Sequence, residues 1–150
     1  MVLPKFATIP QMYKDEMVHL TQFYVYLGWR CQYCGIEMLE RDGVTWYFLD
    51  NEQYFRRPEL YGYMDDGERF GFFSRAVVRL LPHLRFWPEV IPCNDWQTAL
   101  VPIYLKDDGV REDRFRGIRT VLSIHNIDYQ GRYGRDTPGD LSGLDHGRPA

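Results

Sequence analysis

Two apolar runs, each ending in a polar tip, constrain this chain more than any other feature. The first covers Leu84 to Ile91, with apolar residues at 84, 86, 87, 90 and 91, and gives way to Cys93-Asn94-Asp95. The second, Thr120-Val121-Leu122-Ser123-Ile124, ends in His125-Asn126. Between them, residues 96 to 105 carry Trp96, Ala99, Leu100, Ile103 and Tyr104 at spacings of three and four, which predicts a short helix. Strand, tip, helix, strand, tip is the pattern of a parallel α/β sheet, whose ligands gather at the carboxyl ends of the strands. The pattern therefore places Asp95 and His125 in one crevice.

The remaining segments fit around that unit. Met1 to Pro4 reads as the tail of a strand, and residues 10 to 18 are compatible with a helix. Phe23 to Leu27 is aromatic and β-branched, a strand stopped by Gly28. Gln32 to Glu40 and Val44 to Leu49 are two more strands. The Asp42-Gly43 pair between them predicts a tight antiparallel turn. Asp50 to Gly62 reads as a long polar and aromatic loop, a length that is usually functional or mobile. Asp65-Asp66-Gly67-Glu68 offers capping chemistry for a helix whose apolar stripe is Phe70, Phe73, Val77, Leu80 and Leu81, with Pro82 as its end. Residues 106 to 118 read as a charged surface connection, and from Gly131 onward periodicity is lost.

Composition removes several function classes. A net charge of −3 lacks the basic excess of a protein that binds nucleic acid through phosphates. No apolar stretch approaches the roughly 20 residues of a membrane span, and the start lacks a secretory pattern. Three cysteines, an odd count, fit a reducing cytoplasm. Cys31 and Cys34 have the spacing of a redox or zinc pair, but in an extended run they face opposite sides. No second pair completes a tetrahedral site, so no metal is expected. Aromatic residues at 16% suit a carbohydrate or nucleotide pocket, although buried aromatics serve a core equally.

Several stretches together resemble the bacterial glycogen synthases and plant starch synthases that use ADP-glucose. They are Tyr47-Phe48-Leu49-Asp50-Asn51-Glu52-Gln53-Tyr54-Phe55, Leu60-Tyr61-Gly62 and Asp65-Asp66-Gly67-Glu68-Arg69-Phe70. Further on come Asn94-Asp95-Trp96-Gln97-Thr98-Ala99-Leu100 and His125-Asn126-Ile127-Asp128-Tyr129-Gln130-Gly131. The likeness runs through residues 1 to 135 in one collinear order, leaving 136 to 150 as a Gly/Pro-rich tail. The fold it implies is α/β: part of the Rossmann-like amino-terminal domain of a two-domain glycosyltransferase, with an antiparallel hairpin insertion. The implied reaction is retaining transfer of glucose from ADP-glucose to the non-reducing end of an α-1,4-glucan, in glycogen biosynthesis, without a cofactor.

By the same resemblance Asp95 is a cleft carboxylate needed for activity, and His125 stands at the transferred glucose. Tyr61 offers a flat face to a sugar ring, while Asn126, Tyr129, Gln130 and Gly131 shape the pocket. Each has a plainer reading. Aspartate before Trp96 is a favoured helix N-cap, His125 could be a hydrogen-bonded structural histidine, and Tyr61 could simply pack. Trp96 reads as core, and Arg56 and Arg57 either bind glucan or phosphate or are solvated.

Three departures from the family pattern qualify the expectation. Its first strand and Lys-Thr-Gly-Gly-Leu loop, which approaches the donor diphosphate, are not in this sequence. Neither is the second domain, with the cations that neutralise departing ADP. Pro92 stands where the family usually has histidine, and proline in a central strand costs a ladder donor and could displace Asp95. The 150-residue chain alone is therefore expected to be inactive. The alternatives are a non-catalytic glucan-binding or interaction module, a chain that does not fold stably and, weakest for want of a glycine-rich phosphate loop, a generic nucleotide-binding Rossmann protein.

Overall fold

A computed structural model of the chain describes residues 1–109 and 112–133. Four strands form one sheet: β1 (Val2–Pro4), β2 (Val18–Leu27), β3 (Arg30–Arg41) and β4 (Val44–Asp50), in the order β1-β4-β3-β2. β1 runs parallel to β4, and the other neighbours are antiparallel. The Asp42-Gly43 turn joins β3 to β4 with both residues at positive φ, 53° and 74°, the geometry that matches strand twist in a two-residue hairpin. A second two-residue turn, Gly28-Trp29, joins β2 to β3. Cys31 is exposed and Cys34 buried, on opposite faces of β3, and burial pushes the Cys34 thiol well up.

Between β1 and β2 lies α1 (Gln11–Glu16), as the polar run predicts. The stretch after β4 is more ordered than a loop. Asn51 caps a one-turn helix, α2 (Glu52–Phe55), accepting from the Tyr54 N–H at 3.0 Å and donating to the Tyr33 carbonyl at 2.8 Å. α2 buries Tyr54 and Phe55 completely, which polar composition conceals.

The long helix α3 (Asp66–Leu84) is the centre of the molecule. It packs on β2 from one side and on α4 (Val101–Gly109) and the short 3-10 turn Trp96–Thr98 from the other. Val25, Leu27, Ile36 and Leu49 of the sheet, Phe72, Val78 and Leu80 of α3, and Val101 and Tyr104 of α4 belong to one core. Burial on both sides explains why the predicted single stripe is too narrow: Phe72, Ala76 and Val78 are also inside. Pro82 does not end the helix but sits within its last turn. The end is made by Arg85 in the left-handed conformation, whose N–H donates to the Pro82 carbonyl at 3.1 Å, while that of Phe86 reaches Leu81 at 3.1 Å.

That ending corrects the first strand-like run. Leu84 is the last residue of α3, and β5 (Val90–Asn94) starts six residues later. The apolar residues at 84, 86 and 87 follow a helix end and its link, which a short apolar run cannot distinguish from a strand. The second run is β6 (Arg119–Ser123), parallel to β5 as expected. The helix predicted over 96 to 105 begins as the 3-10 turn and continues as α4, with Ile103 exposed and Leu105 buried. Nor are residues 106 to 118 merely a solvated connection. Asp108 is buried and pairs with Arg75 of α3 at 3.3 Å, and Phe115 and Ile118 enter the core.

Pro92 is accommodated because of where its nitrogen points. Asp95 donates its N–H to the Ser123 carbonyl at 2.8 Å, and Arg119 donates to the Glu89 carbonyl at 2.9 Å. Since a parallel strand bonds one neighbour through alternate residues, the odd-numbered residues of β5 face β6. The Pro92 nitrogen faces away, so the β5–β6 ladder loses no bond and Asp95 stays in register.

Candidate functional site

The parallel pairing of β5 and β6 brings both polar tips to the same end. Asp95 Oδ1 accepts the His125 N–H at 2.6 Å, and the His125 ring Nε2 lies 3.1 Å from Asn94 Oδ1. An amide oxygen only accepts, so this contact requires a proton on Nε2 and leaves Nδ1 outside it. The Asp95 side chain makes no helix-capping bond to the Trp96 turn; its carboxylate takes the N–H that the next ladder rung would give to a carbonyl. Asp95 is also the most strained non-glycine residue of the site, at φ 56° and ψ −174°. Such a conformation costs about 1–3 kcal/mol and persists only where its surroundings over-determine it. Here the restraints are the bonds to Ser123 and His125 and that from the Thr98 hydroxyl to the Asn94 carbonyl at 2.8 Å.

A pocket of about 140 Å³ opens at these tips, lined by Tyr61, Asp95, Trp96, Gln97, Asn126 and Tyr129. Tyr61 and Tyr129 are its aromatic walls, edge to face with centroids 6.3 Å apart. The structure thus brings together four of the seven sequence-derived site residues at the pocket. His125 borders it through Asp95, whereas Gln130 turns back to the Ile127 carbonyl at 2.7 Å. Gly131 serves from behind. At φ 56° it lies against Trp96, where a Cβ would come within 2.4 Å of the ring. Trp96 both packs on the core, 5.1 Å from Phe70, and lines the pocket. Gln97 is an addition that sequence reasoning missed, although it lies inside the quoted Asn94–Leu100 stretch. A larger hollow of about 410 Å³, around Pro102, Lys106, Arg116 and Thr120, holds none of the polar tips, and convergent chemistry favours the smaller one.

Neighbouring charges hold the Tyr61 segment. Arg57 forks onto Asp65 with both bonds at 2.6 Å, which lowers the Asp65 pKa and raises that of Arg57. Arg56 pairs with Glu52 at 3.0 Å. Both arginines are therefore engaged in local ion pairs. Burial, then the charge of Asp66, raises the pKa of Tyr133, whose ring lies tilted beside Trp96. Among the described residues no group of three or more His, Cys, Asp or Glu could hold a metal ion, and no helix is long and apolar enough to cross a membrane.

Comparison with known proteins decides the family. The model of the starch synthase catalytic domain matches residues 1–149. The chain belongs to this starch synthase family. It is 47% identical over 143 residues to a glycogen synthase of Anoxybacillus flavithermus, and 48% identical over 144 residues to one of Clostridium novyi. Each match covers 95% of the chain but 30% of the relative, so the chain spans under a third of the curated synthases it matches. Among solved structures it is similar to the catalytic domain of starch synthase IV from Arabidopsis thaliana bound to ADP and acarbose. That match has a TM-score of 0.82 and 30% identity, and covers 96% of the chain and 30% of the neighbour. The α/β architecture is thus that of part of a starch synthase catalytic domain.

Proposed function

We propose that this chain carries the acceptor side of an ADP-glucose-dependent glycogen synthase, an enzyme that transfers glucose with retention to the non-reducing end of an α-1,4-glucan. The observation that carries the reading is the pocket at the β5 and β6 tips. It combines two aromatic walls with Asp95, Gln97 and Asn126, the mixture of flat faces and hydrogen-bonding groups that a sugar ring requires. The ligands of the Arabidopsis neighbour, ADP and acarbose, match this chemistry. Its volume is below the roughly 300–1,000 Å³ of a pocket that encloses a whole ligand, so it is read as a subsite.

In this reading residues 1 to 135 are a portion of the catalytic domain, while residues 136 to 150 lie outside the described residues. Asp95 is the carboxylate that stabilises positive charge developing on the transferred sugar, with Oδ1 anchored by His125 and Oδ2 outside that bond. His125 holds a sugar hydroxyl through Nδ1 or its carbonyl. Tyr61 and Tyr129 stack on the ring, Asn126 bonds hydroxyls, and Gln130 and Gly131 shape the turn behind them. No cofactor takes part, and the site of action is the cytoplasm.

Isothermal titration of the 150-residue chain with maltohexaose, and separately with ADP-glucose, tests the reading. Saturable maltohexaose binding, weakened about tenfold by Tyr61→Ala or Asp95→Ala, is expected. No binding, or binding indifferent to both substitutions, would overturn it. Saturable maltohexaose binding with neither binding nor turnover of ADP-glucose would favour the non-catalytic glucan-binding module.

A further inference from the structure

We propose that the buried Asp66–Arg69 pair at the start of α3 is a positioning element for the pocket, holding the Leu60–Gly62 turn so that the Tyr61 ring stands opposite Tyr129. The inference rests on the reading of the pocket as a sugar subsite and extends it to two residues that do not line the cavity.

Arg69 is fully buried and Asp66 nearly so. Removing a charged pair from water is costly, and it is offset only where the remaining donors and acceptors are satisfied. Arg69 Nη1 donates to Asp66 Oδ1, its Nε to the Tyr54 carbonyl at 2.7 Å and its Nη2 to the Leu60 carbonyl at 3.3 Å. Asp66 Oδ2 accepts the Gly62 N–H at 2.5 Å. The backbone is therefore tied to one ion pair immediately before and immediately after Tyr61. Leu60 and Tyr61 are both exposed, so neither side chain anchors the turn in the core, and the Arg57–Asp65 fork ties only its flanks. The guanidinium also lies 4.9 Å from the Tyr63 ring, on the far side of the same turn.

The opposite wall stands on the same turn of α3. Tyr133 lies over Gly67, where a Cβ would meet its ring at 3.0 Å. Phe70 meets Trp96, and Trp96 meets Gly131, two residues beyond Tyr129. One helical turn, Asp66 to Phe70, is thus the common footing of both aromatic walls, and the ion pair governs the Tyr61 side. A lysine at 69 keeps the charge but gathers its donors on one nitrogen, losing the planar fork whose three nitrogens separately reach Tyr54, Asp66 and Leu60.

The test places a fluorotyrosine at position 61, or at Tyr24 of β2 as a control, and records fluorine NMR of the 150-residue chain. Arg69→Lys is expected to shift and broaden the position-61 signal, leave that of position 24 unchanged, and weaken maltohexaose binding about tenfold. In a Tyr61→Ala background the same substitution should change affinity by less than about twofold, because its effect passes through Tyr61. Asp66→Asn is the second variant should Arg69→Lys not fold. An unchanged position-61 signal in a folded variant, or an affinity loss that persists without the Tyr61 ring, overturns the proposal. Absence of maltohexaose binding in the unmodified chain overturns the sugar reading instead, and the fluorine signal still decides the positioning role.

Discussion

The β2–β4 sheet with α3 and the β5–β6 pair differ in what their apolar residues do. In the first, Val25, Leu27, Ile36, Leu49 and Phe72 are at most 1% exposed. In the second, Val121, Leu122 and Ile124 are 54%, 44% and 60% exposed. The first region makes the core, whereas the second mainly presents two loop tips at one end. A two-stranded unit is marginal by itself, and here it is fastened to the scaffold through Cys93, Trp96 and the Ser74 hydroxyl, which donates to the Gln97 carbonyl at 3.3 Å. The core and the proposed sugar subsite are thus built mainly by different residues, Trp96 serving both, and the strain at Asp95 lies at the subsite.

Paired truncations should show the largest contrast. Phe72→Ala is expected to cost about 3–5 kcal/mol of unfolding free energy in urea titrations. Leu122→Ala, already half-exposed, should cost less than about 1 kcal/mol. Equal costs would mean that the two regions share one core after all.

Glycine replacements sharpen the comparison at the next level. Gly131→Ala combines a left-handed backbone with a clash against Trp96, and about 1–3 kcal/mol of destabilisation is expected. Gly43→Ala has the same handedness problem but open space around it, so its cost should be clearly smaller. Maltohexaose titration should register only the first.

Acid should loosen the Tyr61 segment. The Arg57 fork lowers the Asp65 pKa, so its ionised form favours the fold at pH above the unfolded value of about 3.9. That contribution disappears as pH falls from there through the lowered folded value. Arg57→Gln should remove this part of the acid dependence in melts recorded at successive pH values. An unchanged profile would show that the ion pair is not felt. The smallest effect is expected at Pro92. Since its nitrogen faces away from β6, Pro92→Val should shift stability by no more than about 0.5 kcal/mol. A clear gain would place a backbone acceptor on that side, within reach of the N–H that valine adds.

Much of the architecture was legible from local pattern. The Asp42-Gly43 turn, β3 and β4, and the parallel β5 and β6 tips all follow from turn chemistry and apolar runs. Boundaries failed where a local signal had a non-local answer. Pro82 stayed inside α3 because Arg85 accepts the left-handed ending, and Leu84 belonged to that helix rather than to β5. Tyr54 and Phe55 looked like loop residues because a single capped turn is too short to show periodicity.

The order of residues alone determined the α/β class, the family and the meeting of Asp95 with His125, since strand ends in a parallel pair must lie together. It did not determine which neighbours form the pocket or what holds them. Tyr61 reaches Tyr129 across a long sequence separation, and its turn rests on an arginine whose complete burial is visible only in three dimensions. The physical reason is the same in both cases. Period and turn chemistry act over a few residues, whereas a buried charge is tolerated only where distant backbone groups converge to satisfy it.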